Sequence, residues 1–185
     1  QYHCGEDEAL VQQIPNDPQL FLTLYRRYYE RILNYLYRRC YCQDIAEELT
    51  AQTFFAALES LRQGTPVRHF RPWLYRIATN LFFHQKRRQQ SFLKRLTALW
   101  QPPEVVPLDA IMIAAEEVRR VRQALEHIPE KYRAVLVLRF DEELEYQEIA
   151  EILGRAEGTL RSQVSRGLHL LQRQLREKGY PHGTR

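Results

Sequence analysis

The stretch EIAEILGRAEGTLRSQVSRGLHLL, Glu148 to Leu171, decides the fold. It reads as a short amphipathic helix, a glycine turn and a second helix. In that second helix Leu160, Val164, Leu168, Leu171 and Leu175 follow one face, in steps of four, four, three and four. They are expected to pack inward. Arg155, Glu157, Arg161, Ser162, Ser165, Arg166 and His169 are then left outside or at the rim. This is the pattern of a helix-turn-helix, a unit that lays its second helix in the DNA major groove. Arginine can bond guanine O6 and N7 as a bidentate pair, each discriminating by about 1–3 kcal/mol. Serines and backbone amides near a helix start suit phosphate. Gly154 is placed to end the first helix in a left-handed conformation.

Upstream, the same periodicity continues. Leu20, Phe21, Leu24, Tyr25, Tyr28, Ile32, Leu33 and Leu36 predict a helix from Pro18 to about Cys40, with Asp17-Pro18 as cap and first turn. Ile45, Leu49, Phe54, Phe55, Leu58 and Leu61 predict a second, from about Asp44 to Leu61. Gly64-Thr65-Pro66 marks a loop. A third follows Pro72, carries Trp73, Leu74, Ile77, Ala78, Leu81 and Phe82, and ends in Lys86-Arg87-Arg88, where basic residues suit the helix dipole. Pro102, Pro103 and Pro107 then stop regular structure. Helices resume at Val118–His127 and Glu130–Phe140, the latter with Tyr132, Val135, Leu136 and Leu138 as core. The expectation is an all-α protein of two small helical domains, residues 1–92 and 118–185, joined by an apolar linker over 93–117.

Composition narrows the function classes. The 27% charged fraction argues against a membrane protein, and no run of about 18 apolar residues could span a bilayer. No basic region followed by an apolar one opens the chain, so no secretory signal is expected. The formal charge is only +4, but Arg71 to Arg95 holds seven Lys or Arg and no acid, and Arg155 to Lys178 holds six against Glu157 and Glu177. Two separated basic segments point to two contacts with a polyanion. Cys4, Cys40 and Cys42 lack zinc-site spacing, so no metal or cofactor is expected; reduced thiols in a cytoplasm fit best. Asp141-Glu142-Glu143 reads as a solvated turn rather than a catalytic carboxylate pair, which disfavours a small nuclease. A helix-turn-helix regulator acting without polymerase is the rival reading.

Three segments together resemble one family. PEKYRAVLVLRF, Pro129 to Phe140, with LEYQEIAEILGRAEGTLRSQVSRGLHLLQRQL, Leu144 to Leu175, resembles the C-terminal domain of bacterial sigma factors of the sigma-70 superfamily. FRPWLYRIATNLFFHQKRR, Phe70 to Arg88, is similar to the promoter −10 reading segment of the extracytoplasmic-function (ECF) group. DIAEELTAQTFFAAL, Asp44 to Leu58, is similar to the helix by which that group grips RNA polymerase.

The resemblance implies a non-enzymatic factor that binds core RNA polymerase, at its β′ clamp helices and β flap, and directs initiation at promoter DNA. Glu47, Glu48, Leu49, Gln52, Thr53 and Phe54 would hold the polymerase. Asn80 matches the position that contacts a flipped −10 base, and an amide can read a base edge. The loop to Arg68 and His69 matches the base-capturing loop. Arg76, Lys86, Arg87 and Arg88 would follow the strand's phosphates. Arg155, Glu157, Thr159, Arg161, Ser162, Ser165 and Arg166 would read the −35 duplex, with Arg139 on its backbone. An anti-sigma factor is the implied regulator. The chain departs from the family at Glu48 and Ala51, where Asp and Gln are common, at His84 for Asp, and at Glu145 and Ala156, where serine caps are common. Losing a serine cap costs about 0.5–2 kcal/mol if nothing replaces it.

Overall fold

Seven α-helices carry the described part of the chain. The computed structural model describes residues 4–97, 121 and 123–177, and among these there is no strand. The helices are α1 (Cys4–Gln13), α2 (Phe21–Cys40), α3 (Gln43–Arg62), α4 (Phe70–Thr97), α5 (Glu130–Leu136), α6 (Tyr146–Leu153) and α7 (Glu157–Glu177). A further helical turn spans 123–126. The prolines that mark the linker lie outside the described residues.

In the first half α2 packs on α3 and α3 on α4. Leu24, Ile32, Tyr35 and Leu36 of α2 meet Leu49, Phe54, Ala57 and Leu61 of α3, and Phe70, Leu74, Tyr75 and Ala78 of α4, all buried. Asp17 caps a 3₁₀ turn over Pro18–Leu20 that leads into α2, its side chain accepting the Gln19 amide at 3.1 Å. At the other end Tyr41 takes a left-handed conformation, φ 53°, and its amide closes on the Tyr37 carbonyl at 2.7 Å. α4 continues to Thr97, past the Arg88 end that its sequence pattern gives.

α1 has no counterpart in the periodicity of the sequence. Its apolar content is slight, and a buried carboxylate anchors it instead. Asp7 is 2% exposed and accepts hydrogen bonds from Arg27 and from the Tyr28 hydroxyl of α2. A buried charge is tolerated when it is paired and hydrogen-bonded in this way.

In the second half α5 and α6 both pack on α7 around Val135, Leu138, Leu144, Ile149, Ile152, Leu160 and Val164. The helix that begins at Glu130 does not run regularly to Phe140. It widens into a π turn over Val137–Asp141, where the Glu142 amide reaches the Val137 carbonyl at 3.1 Å. Such turns insert one residue and re-aim the backbone beyond them; here Glu142 is turned into the protein and is 8% exposed.

Two expectations about α6 and α7 are corrected. Glu145 is not a lost cap: Glu148 accepts the Glu145 amide at 2.9 Å and the Glu145 side chain turns to the amide of Glu148, a capping box. Leu168 does not face the core; it is 38% exposed, and the seam passes through buried Gly167 instead. A step of three from Val164 brings Gly167 against α5, where a Cβ would lie 3.1 Å from Leu136 Cδ1 and 3.3 Å from Tyr132 Cβ. Fully burying a residue such as Leu138, Leu144 or Ile149 is worth about 1.5–3 kcal/mol. That exceeds the roughly 1 kcal/mol at stake in the missing cap at Ala156. The hairpin is therefore held by its core rather than its caps. Gly167→Val should overpack the α5–α7 contact and cost about 1–3 kcal/mol, read as a lower Tm on thermal unfolding.

Candidate nucleic-acid interface

Gly154 ends α6 at φ 62°, its amide bonding the Ala150 carbonyl at 2.9 Å, so α7 is launched across α6 as a helix-turn-helix requires. Glu157, Thr159, Arg161, Ser162, Ser165, Arg166 and His169 are all exposed on the outer face of α7. Arg155 is half-buried and tied to Gln163 Oε1 at 2.9 Å, so it braces the turn. The guanidinium of Arg161 lies 4.4 Å over the Tyr146 ring and 3.1 Å from Glu157. Arg139 lies 5.2 Å over the same ring and donates to the Leu144 carbonyl at 2.8 Å. Tyr146 thus holds two arginines by their attraction to its ring face, a role that nothing in its spacing signals. A surface cavity of about 400 Å³ opens beside the start of α7, between Lys131 and Tyr132 of α5 and Gly158, Thr159, Ser162 and Arg166. Lys131 was not among the expected residues. It and Arg166 put two cations beside a helix N-terminus, which suits a phosphate.

On α4, Arg76, Asn80, His84 and Arg87 are exposed and follow one another in steps of four, four and three, a single stripe along the helix. Arg88 and, in the preceding loop, Arg68 are also exposed. Leu74, Tyr75, Ala78 and Phe82 bury the opposite side. Trp73 is half-buried and packs on Phe70, ring centroids 6.0 Å apart. Two of the expected residues are not presented with this stripe. Lys86 Nζ is 3.1 Å from Glu130, and His69 Nδ1 is 3.2 Å from Glu151.

Those acids belong to a contact between the two halves, where α4 packs on α6. Arg39 and Lys86 from the first half and Arg133 beside it converge on the Glu130 carboxylate, at 2.6, 3.1 and 2.6 Å. Burial pushes Glu130 up, but Arg39, Arg133 and Lys86 outweigh it and hold the carboxyl below its ordinary range. Glu142 accepts the Tyr75 hydroxyl at 2.5 Å, and Arg71 donates to its carbonyl at 2.6 Å. Here burial wins, and the Glu142 carboxyl is raised despite Tyr75 and Arg38.

On α3, Glu47, Glu48 and Gln52 are exposed, with Asp44, Ala51 and Phe55 on the same side. Leu49, Thr53 and Phe54 are not available to a partner. They are 2%, 0% and 3% exposed. Thr53 donates to the Leu49 carbonyl at 2.7 Å, and the Phe54 ring packs 4.8 Å from Tyr25 and 6.2 Å from Phe21. Phe55, expected in the core, is 69% exposed. Adjacent helical residues point about 100° apart, so two successive phenylalanines cannot both face one core. Among the described residues no group of His, Cys, Asp or Glu is arranged to hold a metal. Burial pushes the Cys40 thiol up, away from thiolate.

The chain matches the family models "Sigma-70 region 2" over residues 24–92 and "Sigma-70, region 4" over residues 118–171. It is 36% identical over 135 residues to RNA polymerase sigma factor YlaC of Bacillus subtilis, covering 71% of this chain and 78% of that one. ECF RNA polymerase sigma factor SigW of the same organism is 31% identical over 181 residues, 92% and 96% of the two chains. The fold is shared with sigma factor RpoE in its complex with anti-sigma factor NepR from Bartonella quintana, TM-score 0.71 at 22% identity over 84% of this chain and 96% of that one. It is shared also with CnrH in complex with the cytosolic domain of CnrY, TM-score 0.69 at 22% identity over 92% and 97%.

The two phenylalanines of α3 separate packing from exposure. Phe54→Ala should cost about 3–5 kcal/mol in urea unfolding, whereas Phe55→Ser should stay within about 0.5 kcal/mol of the parent.

Proposed function

Because the chain belongs to the ECF group of sigma factors, we propose that it binds core RNA polymerase and gives it two contacts with promoter DNA. Residues 118–185 read the −35 element as duplex, through Arg161, Ser162, Ser165 and Arg166 of α7. Residues 1–92 read and melt the −10 element, and residues 93–117 join the two. The exposed Arg76–Asn80–His84–Arg87 stripe on α4 is the observation that carries this reading, because a duplex reader alone has no use for it. Asn80 supplies a donor and an acceptor to an unstacked base. Arg76, Arg87 and Arg88 follow the backbone of the opened strand. The protein adds no chemistry to a bond; it contributes charge, shape and base contacts.

The polymerase-binding face is the α3 row of Glu47, Glu48, Gln52 and Phe55, with the clamp helices of β′ as its partner; the β flap is the partner of the second half. An exposed aromatic ringed by polar residues is the composition of a binding hot spot. An anti-sigma factor is the proposed regulator, since the relatives of matching fold are seen bound to NepR and to CnrY. Action on polymerase and promoter places the protein in the cytoplasm; among the described residues no helix is long and apolar enough to cross a membrane.

Reconstitution with core polymerase and a promoter library tests the reading. A chain that neither comigrates with core nor directs initiation would sink it. Two variants should dissociate the contacts. Arg161→Ala is expected to lower −35-dependent initiation by about 1–3 kcal/mol equivalent with core binding intact. Phe55→Ser is expected to weaken core binding by about tenfold with the −35 preference unchanged. Asn80→Ala should leave −35 duplex binding intact and reduce permanganate reactivity of the −10 thymines; undiminished reactivity would remove Asn80 from the site.

A further inference from the structure

Tyr146 stands where the π turn, α6 and α7 meet. It is the first residue of α6, next to the Glu145–Glu148 capping box that fixes the start of that helix. Its side chain is half-buried and packs against the core. Two guanidinium groups lie over its ring: Arg161, one turn into α7, at 4.4 Å, and Arg139, from the π turn, at 5.2 Å. The two are held differently at their edges. Arg139 gives Nη1 to the Leu144 carbonyl at 2.8 Å and to Glu145 at 3.2 Å, so it is tied into the turn before α6. Arg161 donates to Glu157 at 3.1 Å, and both of those side chains are exposed, 61% and 46%. Glu145, Arg139, Tyr146, Arg161 and Glu157 thus form one row, with an acid at each end and the aromatic ring at its centre.

Resting on the sigma reading above, we propose that Tyr146 is a positioning residue for −35 readout: its ring holds the Arg161 guanidinium by the face and leaves the N–H edge to a guanine. Three physical arguments carry this. The first is the chemistry of the edge. Bidentate readout of guanine O6 and N7 uses two N–H groups in the guanidinium plane. A carboxylate that grips an arginine takes that same edge. An aromatic ring attracts the cation through its π face and asks for none of the in-plane donors. The second is entropy. A long exposed side chain loses rotamer freedom when it meets a base, and one already laid on a ring has less to lose. The third is the support of the ring itself. The capping box fixes the backbone at Tyr146, the core holds its inner side, and Arg139, bonded to the Leu144 carbonyl, bears on it from the π turn. Glu145 and Glu157 offset the repulsion between two cations that share one ring. Tyr146 therefore sets how sharply Arg161 discriminates, without itself reading a base.

The test uses core polymerase reconstituted with the full chain and a set of promoters carrying each single base change in the −35 element. Arg161→Ala identifies the base pair that Arg161 reads, as the one at which preference is lost. Tyr146→Leu is expected to lower preference at that same pair by roughly three- to tenfold, with other pairs and core binding unchanged. Added to Arg161→Ala, it should remove nothing further at that pair. Loss spread evenly over the −35 element, or further loss at that pair in the double variant, assigns Tyr146 to packing alone and overturns the proposal. A second arm does not depend on the leucine variant folding. Tyr146→Phe keeps the ring face, whereas Tyr146→pentafluorophenylalanine keeps nearly the same shape and removes the negative charge of that face. The first should hold preference within about twofold of the parent and the second should lose it as leucine does. Equal preference in these two variants overturns the proposal. A parent chain that does not initiate overturns the sigma reading, and the proposal with it.

Discussion

A buried polar chain runs through the centre of this protein, from Glu130 through Arg39 and Tyr35 to Thr79. Arg39 is 2% exposed, donates to Glu130 at 2.8 Å and donates to the Tyr35 hydroxyl at 2.5 Å. Tyr35 in turn lies 2.7 Å from the Thr79 hydroxyl, which bonds the Tyr75 carbonyl. A buried polar group left without a partner costs more than a made hydrogen bond contributes, so each member fixes the next. The last of them fixes α4. With Thr79 turned inward to meet Tyr35, helical geometry turns Asn80 outward, about 100° round the axis. The outward presentation of Asn80, the amide proposed to read a base, thus depends on the buried Thr79 beside it.

The same chain begins on the second half of the protein, so its cations hold the two halves together. Arg39 also lies 4.3 Å over the Phe82 ring, so its guanidinium is held from both sides. Lys86, half-buried, brings a compact, strongly hydrated charge to the other oxygen of the Glu130 carboxylate. Removing one partner of such a cluster is strongly unfavourable, because it leaves a buried charge without its counter-charge.

Much of this was legible in the sequence, and the failures have physical reasons. The all-α class and the Gly154 turn follow from 3.6-residue periodicity and one left-handed glycine. The outward set on α7 was right because it was defined by exclusion from an apolar stripe. Periodicity misled where two apolar residues competed for one position. At Phe54–Phe55 it could not say which faced inward, and at Gly167–Leu168 it chose the larger side chain, although α5 approaches too closely to admit one. Assigning Leu49, Thr53 and Phe54 to a binding face by family position overlooked that a helix shows a partner one side only. α1 escaped notice because a carboxylate, Asp7, holds it where an apolar stripe was sought. The π turn and the convergence on Glu130 are tertiary: nothing local in PEKYRAVLVLRF announces that its glutamate will meet an arginine ninety-one positions upstream.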